Sequence, residues 1–137
     1  KLEIGAQTAE QIKITVGSAM RARSKNILVK GRDLVSGIPK TIDIRSDEIR
    51  QALKDPVKRI LDVIKDALEA TPAELSSDII DRGIVLAGGG SQLRGLDQVL
   101  REKTGVPVNV ADEPHLAIVK GCGAVIEDLE KFKHVLL

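Results

Sequence analysis

The chain has 137 residues, with 21 Lys and Arg against 20 Asp and Glu, so its formal net charge is +1. Apolar residues make up 42% and charged residues 30%, as in an ordinary globular domain that is long enough to bury a core. Phe132 is the only aromatic residue, which argues against base-stacking platforms and aromatic-lined pockets. The single cysteine, Cys122, favours a reducing compartment. No run approaches the ~18 apolar residues of a spanning helix, so we expect neither a membrane segment nor a signal peptide.

The first third predicts a helix followed by an antiparallel hairpin. Apolar residues recur at helical spacing over 6–20, and a strand is the less favoured interpretation. Either Thr8 with Gln11, as a capping box, or Gly5 begins this helix. The apolar runs at 27–29 and 38–44 predict two strands, joined by a loop around 33–36.

The middle of the chain predicts two helices. A cap and two acids at 46–48 begin the first, which keeps the 3.6-residue apolar period to Leu68. Pro56 interrupts that period, so we expect a break or kink there. Thr71-Pro72-Ala73-Glu74 predicts a capping box that opens a short helix to about Ile80.

The last third is typical of two parallel strands joined by a helix. Gly105 ends that helix, as glycine commonly does after a helix C-terminus. Strands connected by a crossover helix form a parallel sheet. The predicted elements are a strand over 83–87, a tight turn over 88–90, a helix over 93–100, a strand over 106–110 and a helix from Pro114 to Leu129.

The strongest local signal is Gly88-Gly89-Gly90, which joins the buried strand to the following helix. Glycines let backbone N–H groups approach a ligand, and a helix start adds positive partial charge. Leu93 stands where a dinucleotide fingerprint needs a small residue, and no Gly-Lys-Ser/Thr of a Walker A loop follows. Spacing alone leaves two interpretations open, a phosphate or ribose cradle and a tight turn without a ligand.

Other candidates are weaker when they are taken alone. Glu10 and Lys13 are spaced as a surface ion pair. The basic stretch over 21–32 has no interleaved aromatic residues, which favours a solvated hairpin over a nucleic-acid site. Glycine weakens a helix, so Gly121 and Gly123 inside the last helix need a compensating reason. We expect that reason to be the close approach of another backbone. No metal-ligand spacing and no catalytic triad can be assembled, so we predict no metal and no catalytic residue.

Taken together, the motifs resemble the MreB family of bacterial actin homologues over essentially the whole chain. Each motif alone is weak, and the combination is specific. The residues that carry the resemblance are Gly5-x-x-Thr8-Ala9-Glu10-x-Ile12-Lys13-Ile14, Gly31-Arg32-Asp33-Leu34-x-Ser36-Gly37-x-Pro39-Lys40, Thr71-Pro72-x-Glu74-Leu75, Asp78-Ile79-Ile80-x-Arg82-Gly83-Ile84 and Gly88-Gly89-Gly90-Ser91-x-Leu93-Arg94-Gly95-Leu96-Asp97.

The resemblance implies an α/β chain with the actin-like ATPase (ribonuclease H-like) fold. The chain would be part of the second large domain, with its small α+β subdomain insertion. Residues 1–20 and 76–137 would form the core subdomain on the adenosine side of the cleft, and residues 21–75 the inserted subdomain. A chaperone or sugar-kinase relative of the same superfamily is the alternative.

The resemblance also implies which residues contact a nucleotide. ATP or ADP with Mg²⁺ would bind the longer parent protein, and weakly or not at all this chain. The phosphate-binding Asp-x-Gly hairpins and the catalytic acid precede the matched segment in the family, so the chain alone should be inactive as an ATPase. The implied nucleotide contacts are Glu10, Gln11, Ile12, Lys13, Gly88, Gly89, Gly90, Ser91 and Gln92, and the implied hinge residues are Gly121, Gly123 and Ala124.

One departure from the family pattern bears on this site. The family commonly has Gly-Glu-x-Thr where this chain has Gly5-Ala6-Gln7-Thr8, so a charge near the nucleotide is missing.

The implied parent is a cytoplasmic filament that associates with the membrane and directs cell-wall synthesis and rod shape. Its partners would be further copies of itself, a RodZ-like membrane protein and the wall-elongation machinery, and not nucleic acid. The alternative from another functional class is a pure interaction module that docks the transmembrane partner.

Overall fold

The computed structural model describes residues 1–135 as an α/β chain with two separate sheets. Two short 3₁₀ segments, Gly89–Gln92 and Lys133–Val135, accompany the regular elements. Those elements are, in chain order, β1 (Leu2–Glu3), α1 (Ala6–Val16), β2 (Asn26–Asp33), β3 (Pro39–Arg45), α2 (Ser46–Glu69), α3 (Ala73–Arg82), β4 (Ile84–Leu86), α4 (Leu96–Thr104), β5 (Val108–Val110) and α5 (Ala117–Glu127).

The antiparallel sheet has the order β1–β2–β3, which confirms the predicted hairpin. Ile27 pairs with Ile44 and Val29 with Ile42, so these four residues share one face, while Leu28 lies exposed on the other. The shared face packs against α1, and Val29 is buried there with Ile12 and Val16 of the helix. Strand β1 has only two residues, too few for a periodic signal, and the sequence did not predict it.

The turn of the hairpin is organised by Asp33. Its carboxylate accepts the N–H groups of Val35 (2.8 Å) and Ser36 (3.3 Å) and the ammonium of Lys40 (3.0 Å). These donors, with the Val35 N–H as the largest cause, lower the pKa of Asp33 from 3.8 to about 2.

The second sheet is the parallel pair β4–β5, as predicted, with Ile84 opposite Val108 and Leu86 opposite Val110. Helix α4 connects the two strands and ends at Thr104; Gly105 caps it with a left-handed φ of +72°. The core beneath this pair contains Leu100 and Val108, both fully buried, with Val57 of α2 and Leu96.

The prediction at Pro56 was a break or a kink, and the break is wrong, because α2 runs without interruption from Ser46 to Glu69. A kink there stays a prediction. A proline inside a helix removes one hydrogen bond and costs about 3 kcal/mol. Val57, Leu61 and Ile64 follow Pro56 and pack into the core around Leu100. Burial of this apolar stripe offsets the local cost and keeps the helix continuous.

The predicted capping box at Thr71 is also wrong. Pro72, not Thr71, is the N-cap of α3, and no side chain caps that helix. The Thr71 hydroxyl instead donates to the carbonyl of Ala67 at 2.7 Å. It therefore satisfies a backbone carbonyl in the last turn of α2. Helix α3 itself forms close to the predicted range.

Helix α1 begins after Gly5 and ends at Val16, beside Gly17, where glycine predicts fraying; the helical spacing of apolar residues as far as residue 20 does not extend the helix. Gly17 caps it, with its N–H donating to the Lys13 carbonyl at 2.9 Å. Within residues 1–135, no helix combines the length and the apolar character needed to cross a lipid bilayer.

Candidate nucleotide site

A cavity of about 630 Å³ opens between α1, α2 and the glycine turn, by which we mean residues 88–92. Of the nine predicted nucleotide contacts, five line it and come from two distant parts of the sequence. These five are Glu10, Lys13, Gly89, Gly90 and Gln92. The volume lies within the range of pockets for small-molecule ligands, roughly 300–1,000 Å³.

Backbone contacts between Ser18–Ala19 and Arg94 hold α1 beside the glycine turn. The N–H of Ala19 donates to the Arg94 carbonyl at 2.8 Å, and the Ser18 hydroxyl lies 3.1 Å from the same oxygen. The Arg94 guanidinium in turn donates to the Thr15 carbonyl near the end of α1. These contacts bring residues 10–13 and 89–92 to the same cavity.

The glycine turn is held at Gly88 and Ser91 and is open at the two glycines between them. Gly88 has φ of +81°, and its N–H donates to the Pro114 carbonyl at 2.6 Å. The Ser91 hydroxyl donates to the Gly88 carbonyl at 2.6 Å. A Cβ added at Gly89 or Gly90 would meet no atom within 4 Å. Packing within residues 1–135 therefore does not require glycine at these two positions, and the space beside their backbone is free for a ligand.

Charge at the cavity comes from an ion pair on α1. The Lys13 ammonium lies 2.7 Å from the Glu10 carboxylate, and both side chains are about half exposed. An exposed pair of this kind adds little to stability, so both groups can exchange their partner for a polar ligand at low cost. Lys13 can donate to an oxyanion or a hydroxyl, and Glu10 can accept from a hydroxyl or an amine.

The opposite wall of the cavity is aliphatic. Its main contributors on α2 are Leu53, Pro56, Val57 and Ile60. Sequence reasoning missed these residues, although the apolar period of α2 gave the signal that one face of this helix is covered. A wall of this kind suits the flat apolar face of a ligand whose edges carry polar groups.

The other predicted contacts lie beside the cavity rather than in its lining. Ile12 is buried in the core below the hairpin, and Gln11 is exposed. Gly88 and Ser91 are engaged in the internal hydrogen bonds of the turn. Ile12 and Ser91 can therefore act on a ligand only through the position of their neighbours.

The segment before α5 contacts the glycine turn a second time, through Gln92 Nε2 and His115 Nδ1 at 3.3 Å. The predicted hinge residues on α5 lie farther along this helix. A Cβ added at Gly121 or Gly123 meets nothing within 4 Å, and Ala124 is exposed. The backbone that would approach these glycines is not among residues 1–135, so the hinge stays a prediction.

The family described as MreB/Mbl protein matches residues 1–134. The chain belongs to the MreB/Mbl family. Among curated relatives of this MreB/Mbl chain, the cell shape-determining protein Mbl of Bacillus subtilis is 47% identical over 132 residues, which cover 96% of the chain and 40% of the relative. The cell shape-determining protein MreB of Escherichia coli is 44% identical over 128 residues, or 93% of the chain and 37% of the relative.

Solved structures of MreB proteins share the fold. MreB5 of Spiroplasma citri bound to ADP superposes with a TM-score of 0.90 at 32% identity, covering 97% of this chain and 41% of that one. The same protein bound to AMPPNP gives 0.89, covering 99% and 41%. A MamK double helical filament gives 0.66 at 22% identity and shows the fold alone. The predicted actin-like ATPase fold is confirmed, and the chain spans about two fifths of the length of the relatives it matches.

Proposed function

We propose that this chain forms the adenosine side of the nucleotide cleft in an actin-like, filament-forming protein that determines cell shape. The observation that carries the proposal is the convergence of Glu10 and Lys13 with Gly89, Gly90 and Gln92 around one cavity. Solved MreB5 structures of the same fold hold ADP and AMPPNP. Their likeness to this chain favours a nucleotide over a ligand-free turn.

Each part of the cavity has a role in this proposal. The aliphatic wall of α2 lies under the adenine, which therefore needs no aromatic ring. The open backbone at Gly89 and Gly90 lets the ribose and the first phosphate approach the main chain. Lys13 and Glu10 bind the polar edge of the nucleoside, and Gln92, supported by His115, closes the site.

The remaining phosphates and Mg²⁺ belong to the rest of the longer protein in this proposal. Among residues 1–135, no group of three His, Cys, Asp or Glu side chains could hold a metal ion. Mg²⁺ at nucleotide sites is held largely through the phosphates and a few carboxylates. Since the groups that bind the phosphates lie outside this chain in our proposal, we expect this chain alone to bind nucleotide only weakly.

We extend the proposal to assembly and cell shape. The relatives from Bacillus subtilis and Escherichia coli are cell shape-determining proteins, and the MamK relative forms a double helical filament. We propose that the longer protein self-associates, is held at the membrane by a RodZ-like partner and directs the wall-elongation machinery. We also propose the division into residues 1–20 with 76–137 and an inserted 21–75, with β4–β5 in the first part and the hairpin β2–β3 in the second.

The decisive experiment is titration of the full-length protein with ATP after the change Gly89→Asp. A carboxylate at this open position fills the approach to the backbone and repels phosphate, so we expect ATP affinity to fall at least tenfold. Gly5→Asp is the matched control. It adds the same charge at another position where a Cβ meets nothing, and Asp is a favoured N-cap for α1. Equal ATP affinity of the two variants would refute the adenosine assignment.

A further inference from the structure

A groove of about 250 Å³ lies between α2 and α4, apart from the polar edge of the nucleotide cavity. Its floor is aliphatic, and its rim carries four cations and no carboxylate. The floor is formed by Ala19, Leu53, Val57, Leu61 and Val99, and the rim by Arg50, Lys54, Lys58 and Lys103.

The cations of the rim follow the helix geometry. Arg50, Lys54 and Lys58 are four residues apart on α2, so they form a row about 12 Å long at 1.5 Å per residue. Lys103, near the end of α4, lines the same groove. The groove therefore combines an apolar floor with a positively charged border.

Most of these cations are not neutralised within the described part of the chain. Lys54, Lys58 and Lys103 form no salt bridge among residues 1–135, and Arg50 has only a long contact of 3.4 Å with Asp47. Like charges at i and i+4 destabilise a helix by a few tenths of a kcal/mol per pair. A chain of net charge +1 thus concentrates unpaired positive charge along one apolar groove.

We infer that this groove docks an acidic amphipathic helix of a partner protein. Amphipathic helices bind by placing one apolar face in a groove of this type. The apolar side chains of the partner would cover Leu53, Val57 and Val99, while its carboxylates, at the same four-residue spacing, pair with the row on α2. The volume is below the roughly 300–1,000 Å³ of pockets for whole small ligands, which favours side chains projecting from a larger partner.

This inference does not depend on the proposed nucleotide function. Leu53 and Val57 border both cavities, but the four cations of the groove take no part in the lining of the nucleotide cavity. Charge changes on Lys54 and Lys58 therefore test docking without removing a proposed nucleotide contact.

The test uses fluorescence anisotropy of the full-length protein with a labelled helical peptide of Glu and Leu, whose Leu residues form one face. We expect binding that weakens with added salt. The variant Lys54→Glu with Lys58→Glu should bind at least tenfold more weakly, because two attractive pairs become repulsive. The matched control, Arg59→Glu with Lys65→Glu, makes the same charge change at exposed positions of α2 outside the groove and should bind as the wild type.

Two further probes separate apolar docking from simple attraction between charges. A peptide with Ser in place of Leu keeps the charges and should bind at least tenfold more weakly. Phosphatidylglycerol vesicles present a flat anionic surface and should not distinguish the groove variant from its control. The inference is overturned if the Glu–Leu peptide does not bind, if both variants bind it equally, if the Ser peptide binds as well, or if the vesicles alone discriminate the variants.

Discussion

The hairpin β2–β3 and the parallel pair β4–β5 distribute their apolar residues differently. In β3 apolar and polar residues alternate, so Ile42 and Ile44 face α1 together with Val29 of β2. The other face of the hairpin carries Lys30 and Thr41, with Leu28 as a 72% exposed apolar residue. In the parallel pair β4 is apolar throughout, whereas Asn109 separates the two valines of β5. Val108 is fully buried there, yet Val85 is 64% exposed.

This difference indicates how far each region depends on further chain. Alternation is typical of an antiparallel sheet with one solvated face, and continuous apolar strands are typical of a parallel sheet covered on both faces. The outer face of the hairpin is therefore polar apart from Leu28. In the parallel pair, which leads into the glycine turn, Val85 lies open on the second face of β4; we expect further chain to cover it, and the chain spans only about two fifths of its relatives' length.

The largest effect should come from Gly83→Ala at the start of the parallel pair. Gly83 has φ of +78°, and a Cβ there would lie 2.5 Å from the Pro107 carbonyl oxygen. Strain and this backbone clash should lower the free energy of unfolding by about 3 kcal/mol, measured by urea denaturation. Gly105→Ala is the control, because its φ is also positive while its Cβ meets nothing, and it should cost about 1 kcal/mol. Equal losses would contradict the close approach at Pro107.

The next largest effect compares one substitution in the two cores. Val108→Ala, where the side chain is fully buried, should cost about 2–3 kcal/mol in the same urea assay. Val29→Ala in the hairpin core should cost about 1–2 kcal/mol, because the buried cluster around Val29 has fewer residues and the apolar side chains packed on it are partly exposed. A larger loss of unfolding free energy for Val29→Ala than for Val108→Ala would contradict this prediction.

The hairpin should contribute a pH effect on stability through Asp33. The folded state lowers the pKa of Asp33 from 3.8 to about 2, so the unfolded state binds more protons between these values. The stabilisation from this carboxylate is therefore complete above about pH 4 and is lost as the pH falls through about 2. In urea titrations, Asp33→Asn should be less stable than the wild type at pH 6 and should match it near pH 2. A constant difference across this range would argue against ionisation of Asp33 as the cause.

The smallest effect concerns α5, whose glycines have open space around them among residues 1–135. Gly121→Ala should stabilise the 137-residue chain by about 0.5–1 kcal/mol, because alanine favours helix and its Cβ meets nothing. In the full-length protein the same change should destabilise, if another backbone packs on this helix as the hinge prediction requires. Thermal melts of both proteins test the change of sign, and stabilisation in both would rule out the hinge.

Local pattern was sufficient to predict most of the fold. The 3.6-residue period located α1 and α2. The apolar run at 27–29 and the apolar residues at 38–44 located the hairpin, and the glycine after α4 marked the end of that helix. The errors arose where a distant contact outweighed a local signal. Pro56 stays inside α2 because the residues after it are held by the core around Leu100, and the Thr71 hydroxyl bonds backwards to Ala67.

The candidate site was less accessible from the sequence. The glycine turn is visible as a motif, and Glu10 and Lys13 are distinguished from an ordinary ion pair only by the family resemblance. The aliphatic wall and the link through Arg94 depend on how α1, α2 and the turn are placed together. No short-range spacing contains that information.

A crystal structure of the full-length protein with bound ADP tests the central claim most directly. The account predicts adenine against Leu53 and Ile60 of α2, and ribose or phosphate oxygens within hydrogen-bond distance of the backbone at Gly89 or Gly90. It also predicts that Lys13 turns from Glu10 to the nucleoside. ADP bound elsewhere, with this cavity empty and the Lys13–Glu10 pair intact, would contradict the account.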